Sequence, residues 1–307
     1  MPRKTRRAEG EPRQVRGSLE HERAQRASEG AWGWGPGRTE KCGAPRTNKK
    51  KLMATPSNRA ALVLIPGLQG RWEYMRRTVD ALSKHFQVLT FSLGTTSTMD
   101  AYVDQVVRTL DENHIRRAVV AGVSFGGVVA LRFAAAHPER TGALVLASTP
   151  GPGWHLRPRH RAYSHAPWIF GPLFLLETPW RLRTEFKATF PDAGERRAFK
   201  REALRTVLMA PISLSRMAAR ARLLNALDLG SDCTLVTAPT LVVTGERELD
   251  HVVPADESSQ YARLIPDARM VTLERTGHLG TITRPDAFAE IVHAFVGADT
   301  SVDRGAA

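Results

Sequence analysis

The sequence predicts an α/β fold: a doubly wound, mostly parallel sheet of about six strands with a helical insertion, behind a disordered N-terminal tail. Three observations carry this. Six short runs of aliphatic and β-branched residues alternate with segments of helical periodicity, the pattern of strands joined by crossover helices. One of those runs, Ala118 to Val123, ends in Gly122-Val123-Ser124-Phe125-Gly126-Gly127 and passes at once into helix-compatible sequence up to His137. Residues 151–232 then break the alternation with proline, arginine and aromatic side chains.

Bulk properties bound the answer. The chain has 307 residues, 42% of them hydrophobic, enough for one substantial α/β core with an insertion. No apolar stretch approaches the roughly 20 residues that span a bilayer. Two cysteines, Cys42 and Cys233, supply neither a disulfide framework nor a metal cluster, so a reducing, cytoplasmic setting is the default. The net charge of +13 is unevenly spread: residues 1–52 hold 14 Lys/Arg against 6 Asp/Glu. Val15, Leu19 and Leu52 are the only Val, Leu or Ile in that segment, too few to offset chain entropy, so it reads as disordered. It lacks the apolar core of a secretory signal. Met53, directly before the first strand, reads as a natural start, with 1–52 an upstream extension of the frame; a basic interaction tail is the alternative. The remainder holds no helix-turn-helix, zinc-finger or RNA-binding signature. A small molecule rather than nucleic acid is the expected partner.

In chain order, Ala60–Ile65 is a buried strand ended by Pro66-Gly67. A helix follows over Glu73–His85, then a strand over Val88–Phe91. Asp100–Asn113 places Val103, Val106, Val107 and Leu110 at helical spacing. The strand Ala118–Val123 and its helix come next, then Leu144–Ala147. Within the insertion, Glu195–Met209 and Leu214–Leu227 read as helices. Thr240–Gly245 returns to the sheet. Glu257–Ile265 is a helix, Ala268–Leu273 the last strand and Pro285–Phe295 the closing helix, with 299–307 a C-terminal tail. Proline opens that helix where its missing N–H costs nothing.

The segment around Ser124 has chemical meaning. A serine on a sharp strand-to-helix turn exposes its hydroxyl, and a side chain at Gly122 or Gly126 would collide with the neighbouring backbone. The following helix N-terminus offers free N–H groups to a developing oxyanion. With Gly-x-Ser-x-Gly in this context, the chain resembles the α/β-hydrolase superfamily, in its serine-nucleophile, capped, esterase- or lipase-like form. The turn after Val88–Phe91 departs from many relatives: Ser92-Leu93-Gly94 stands where they carry Asp-x-x-Gly.

The resemblance implies the rest of a site. Its loop after the first strand supplies an oxyanion donor, here the N–H of Leu68 beside that of Phe125. Residues 151–232 occupy the place of a helical cap over the active site, between core segments 53–150 and 233–298. Trp154, Trp168, Phe170 and Phe174 are candidates to line an apolar pocket, or to pack the cap on the core. The cap arginines, Arg157, Arg159, Arg161, Arg181 and Arg183, are read as solvated surface. The loop Glu246–Pro254 matches the family's acid loop with two extra residues. Counting back from Pro254 selects Asp250; counting forward from Gly245 selects Glu248. The more complete match favours Asp250. His278 follows the last strand, and Ser124, Asp250, His278 is the chain order this fold uses. The implied activity is hydrolysis of a carboxylic ester or related acyl bond of a small, largely apolar substrate, with no metal or organic cofactor. An acyltransferase, a carbon–carbon bond hydrolase or a slow, ligand-binding member would use the same residues.

Overall fold

Each aliphatic run supplies one strand, because side chains alternating across a parallel strand meet apolar helices on both faces. The computed structural model describes residues 59–305, with side chains through Ala298. The expectations for the 1–52 tail, the Met53 start and Cys42 lie outside the described residues. In order the elements are β1 (Ala61–Ile65), a 3-10 turn (Trp72–Met75), α1 (Arg76–Leu82), β2 (Gln87–Thr90), α2 (Met99–Glu112), β3 (Ala118–Val123), α3 (Phe125–Ala136) and β4 (Thr141–Ala147). The insertion comprises α4 (Pro158–His165), α5 (Pro167–Arg181), α6 (Arg183–Thr189), α7 (Ala193–Met209) and α8 (Leu214–Asn225). The core resumes with α9 (Gly230–Leu235), β5 (Thr240–Thr244), α10 (Ala255–Ser259), α11 (Tyr261–Leu264), β6 (Arg269–Thr272), α12 (Gly280–Thr283) and α13 (Pro285–Gly305).

The six strands lie in the order β2-β1-β3-β4-β5-β6 and every neighbouring pair is parallel. Alternation along the strands divides the core in two. Val63, Ile65, Val120, Leu144 and Leu146 face α2 and α3, while Leu62, Leu64, Val119, Ala121 and Val145 face α1 and α13. The chain leaves β1 for the edge strand β2 and then crosses back to β3. The loops after β1 and β3 therefore diverge, and the crevice between them is where open α/β sheets place ligands.

Three helices differ from the sequence reading. The Glu73–His85 segment is a 3-10 turn followed by α1, which stops at Leu82. Glu257–Ile265 is split into α10 and α11. The closing helix runs on to Gly305, since no proline follows Phe295 and a single interior glycine, Gly297, costs only about 1 kcal/mol. No helix among the described residues is long and apolar enough to cross a membrane. Cys233 is buried and free, and burial pushes its thiol up to about 12.

β3 and α3 meet backbone to backbone. A Cβ on Gly122 would stand 2.1 Å from Gly126 O, and one on Gly126 2.2 Å from Ile65 O. Gly122→Ala should therefore destabilise the fold by about 3 kcal/mol, the upper end of ordinary overpacking. Gly297→Ala, where a Cβ meets nothing within 4 Å, should instead stabilise it by about 0.5–1 kcal/mol. Urea unfolding of both variants reads the contrast; equal stabilities would remove the steric account of the turn.

Candidate active site

Ser124 caps α3 with φ 55° and ψ −121°, a backbone conformation that a non-glycine residue adopts only under constraint. The constraint is visible: its N–H donates to Ala147 O at the end of β4 (2.9 Å), and its carbonyl accepts from Gly127 (2.9 Å). Among the described residues no hydrogen bond engages the N–H of Leu68 or of Phe125. Leu68, Ser124 and Phe125 all line one cavity of about 150 Å³, whose other walls come from the cap and from the loop after β5.

That second loop sets the two candidate carboxylates apart. The N–H groups of Leu249 and Asp250 both reach back to Glu246 O (3.0 and 3.1 Å), a tight turn that takes up the two extra residues. It leaves Glu248 exposed and turns Asp250 inward, 5% exposed. Asp250 Oδ1 accepts from the N–H groups of Val252 (2.9 Å) and Val253 (2.8 Å), while Oδ2 stands 3.4 Å from His278 Nδ1. Val252 and Val253, held in this way, belong to the cavity wall. Burial would lower the His278 pKa, but the Asp250 charge and hydrogen bond, with Glu185 behind them, outweigh it and hold it above the ordinary histidine value.

Of the four aromatic candidates, Trp154 and Phe174 line the cavity. Phe170 is stacked on Tyr163 at 5.2 Å, and Trp168 is 77% exposed. Helical geometry explains the split. Pro167, Gly171, Phe174 and Arg181 share one stripe of α5 that faces the cavity, and Trp168, like Leu176 and Trp180, lies outside it and is exposed. The reading of Arg181 as solvated surface is thereby corrected: its guanidinium folds back over the Phe174 ring, 4.1 Å from the centroid, in the cavity wall.

Two further charged residues escaped the sequence reading, and both come from the cap. Arg220 of α8 is 2% exposed and reaches the ends of β1 and β2. It donates to Leu68 O (3.0 Å), Leu93 O (3.1 Å), Gly94 O (3.2 Å) and Tyr102 Oη (3.1 Å). Its signal was present: Arg220 falls within the inward stripe of α8, beside Ala221 and Leu224. Glu185 of α6 is fully buried and accepts from the N–H of Leu279 at 2.8 Å, so it holds the backbone next to His278. Its short, highly charged helix gave no sign of that. Burial pushes the Glu185 carboxyl up to about 7, although the N–H of Gly277 and the charge of His278 pull the other way.

That shift has a stability consequence. Between the unfolded value of 4.5 and about 7 the folded state keeps a proton that the unfolded chain releases. The contribution of Glu185 is therefore fully present below pH 4.5 and is lost as pH rises through about 7, by about 3 kcal/mol at most. Glu185→Gln should flatten this fall, gaining on the native protein between pH 5 and pH 8 in urea titrations. Parallel pH–stability curves for the two proteins would contradict the assignment.

Similarity to known proteins agrees with this architecture. Residues 62–291 match the model of the alpha/beta hydrolase family. RutD of Caulobacter sp. (strain K31), named as a carbamate hydrolase, is 24% identical over 272 residues, covering 80% of this chain and 93% of that protein. The enol-lactonase of Burkholderia xenovorans LB400 superposes with a TM-score of 0.64 at 23% identity, over 78% of this chain and 92% of that one. A thermophilic esterase from Thermogutta terrifontis gives a TM-score of 0.64 at 22% identity, over 78% and 90%. With a family match over most of its length and the parallel sheet that match requires, the chain belongs to the alpha/beta hydrolase family.

Proposed function

We propose that this protein is a serine hydrolase that cleaves a carboxylic ester, or a related acyl bond, of a small and largely apolar substrate through an acyl-enzyme. The observation that carries this reading is the pairing of His278 Nδ1 with the buried Asp250 carboxylate, on loops at the sheet edge that also presents Ser124. The relatives are named for action on a carbamate, an enol-lactone and an ester, each of which contains an acyl carbonyl.

In this scheme His278 takes the Ser124 proton through Nε2 as the hydroxyl attacks the substrate carbonyl. The oxyanion is received by the N–H groups of Phe125 and Leu68, held in place before the reaction and so needing no reorganisation. His278 then gives its proton to the leaving group and activates the water that clears the acyl-enzyme. Asp250 fixes the tautomer with the proton on Nδ1 and stabilises the imidazolium; the two N–H bonds to its Oδ1 hold the carboxylate in line. Because His278 must be neutral to act as base, and its pKa is raised by Asp250 against the pull of burial, the acid limb of kcat/KM should lie above pH 6.5.

Ser124→Ala and His278→Ala should each abolish turnover of p-nitrophenyl esters, since removing one member disables the unit. A fluorophosphonate should label the native protein and not Ser124→Ala. Rapid labelling of Ser124→Ala, or more than a few per cent of native turnover in either variant, would refute the mechanism. Asp250→Asn should lower kcat by roughly a thousandfold or more, while the exposed Glu248→Gln should stay within about tenfold. The opposite order would transfer the acid to Glu248.

A further inference from the structure

The cap side of the cavity carries a positive charge that nothing in the cavity balances. Arg181 ends α5, and one terminal nitrogen of its guanidinium donates to Phe174 O (3.3 Å) and Thr178 Oγ1 (3.1 Å). The other stands 3.5 Å from His160 Nε2, and the buried Nε has no hydrogen-bond partner among the described residues. A guanidinium has five N–H donors, so this one has donors to spare. No Asp or Glu lines the cavity. Glu177, the one acid of α5, is engaged by Arg159. Burial pushes the Arg181 pKa down and the charge of Arg159 pushes it further, against a smaller opposing effect of Tyr163. His160, lowered by burial and then by Arg181, Arg157 and Arg159, offers a neutral ring and no counter-charge.

The C-terminal helix dipole favours a cation at this end of α5, but only by about 0.3–1 kcal/mol, and equally well for an arginine turned to solvent. It does not account for a guanidinium set in the wall of an apolar cavity, stacked on Phe174. A planar anion does, because a carboxylate accepts two parallel N–H bonds from one edge of the guanidinium.

We propose that the cap side of the cavity binds a carboxylate of the substrate at Arg181, with the apolar wall holding the chain between that carboxylate and the carbonyl presented to Ser124. The site thus favours hemiesters, molecules with an acyl bond at one end and a free carboxylate at the other. The second half of this statement rests on the serine-hydrolase reading; the anion site itself does not.

The two are tested separately. Calorimetry on the Ser124→Ala protein compares the monomethyl and dimethyl esters of dicarboxylic acids from succinate to suberate. The charged member of at least one pair should bind about 10- to 100-fold more tightly, the value of hydrogen bonds to a charged group. Adding Arg181→Met should erase that preference, and Arg181→Lys should restore part of it. Turnover of mono-p-nitrophenyl esters of the same acids, against their methyl p-nitrophenyl diesters, should show the same preference in kcat/KM and its loss in Arg181→Met. Equal binding of charged and neutral ligands across the whole series overturns the anion site; that comparison needs no arginine variant to fold. An equal fall on both substrates in Arg181→Met overturns it too. A retained binding preference without turnover of any ester leaves the anion site standing and refutes the hydrolase mechanism instead.

Discussion

The rest of the structure depends on the contact between the end of β3 and the start of α3. Gly126 lies so close to Ile65 O, and Gly122 to Gly126 O, that neither tolerates a Cβ. This closeness forces the reversal at Ser124 and brings the ends of β1, β3 and β4 together. The Ser124 N–H is tied to β4 through Ala147 O, while β1 continues directly into Pro66, Gly67 and Leu68. One steric constraint thus brings Leu68, from the loop after β1, to the same cavity as Ser124 and Phe125 of the turn after β3.

The loops beyond the sheet edge lack the regular ladder that holds the strands, and the cap supplies what they lack. Arg220 binds the backbone after β1 and after β2, and Glu185 binds the backbone beside His278. Thr189 Oγ1 adds a bond to Arg275 O at 2.7 Å, and Tyr74 Oη one to Ala210 O at 2.9 Å. The Arg220 and Glu185 bonds are costly, because each places a charged group where water scarcely reaches it. Glu185 shows the cost most plainly in a carboxyl pushed up to about 7. The cap is therefore part of the frame that sets the loops around Ser124 and His278, as well as the roof of the cavity.

What the sequence revealed followed from period and local chemistry. The six strands were legible because each is a short apolar run, and the Ser124 turn because its glycines are required by contact. Asp250 and Glu248 were only half separable: two ways of counting gave two residues, and their different burial, Asp250 inward and Glu248 exposed, comes from the folded turn. The cap was the hardest part. Its arginines look alike in sequence, yet Arg181 enters the cavity while Arg159 pairs with Glu177 near the surface. Which face of α5 turns inward is decided by tertiary packing, so of Trp168 and Phe174, six residues apart in one apolar run, only Phe174 lines the cavity and Trp168 is exposed. Arg220 sat within an apolar helical stripe, a position where an arginine is expensive and so informative.

Arg181 and Arg220 together show how a structural cation can be told from a binding one. Both lie in the cap, and neither forms an ion pair among the described residues. Arg220 makes four hydrogen bonds to three backbone carbonyls and a hydroxyl, which nearly exhausts its five donors and explains its burial without a ligand. Arg181 spends two donors on Phe174 O and Thr178 Oγ1, sets another nitrogen 3.5 Å from His160 Nε2 and keeps a buried Nε unmatched, in a residue of the cavity wall. Buried polar groups in folded proteins are almost always satisfied, so a guanidinium left partly unmatched in a cavity wall points to a partner there. The same accounting separates the labour of the two layers. The core loops hold Ser124, Asp250 and His278, on a frame that a shared fold can supply to many proteins. The cap sets the charge and the walls of the cavity, and there this chain is free to differ from relatives to which it is 24% and 23% identical over the aligned residues.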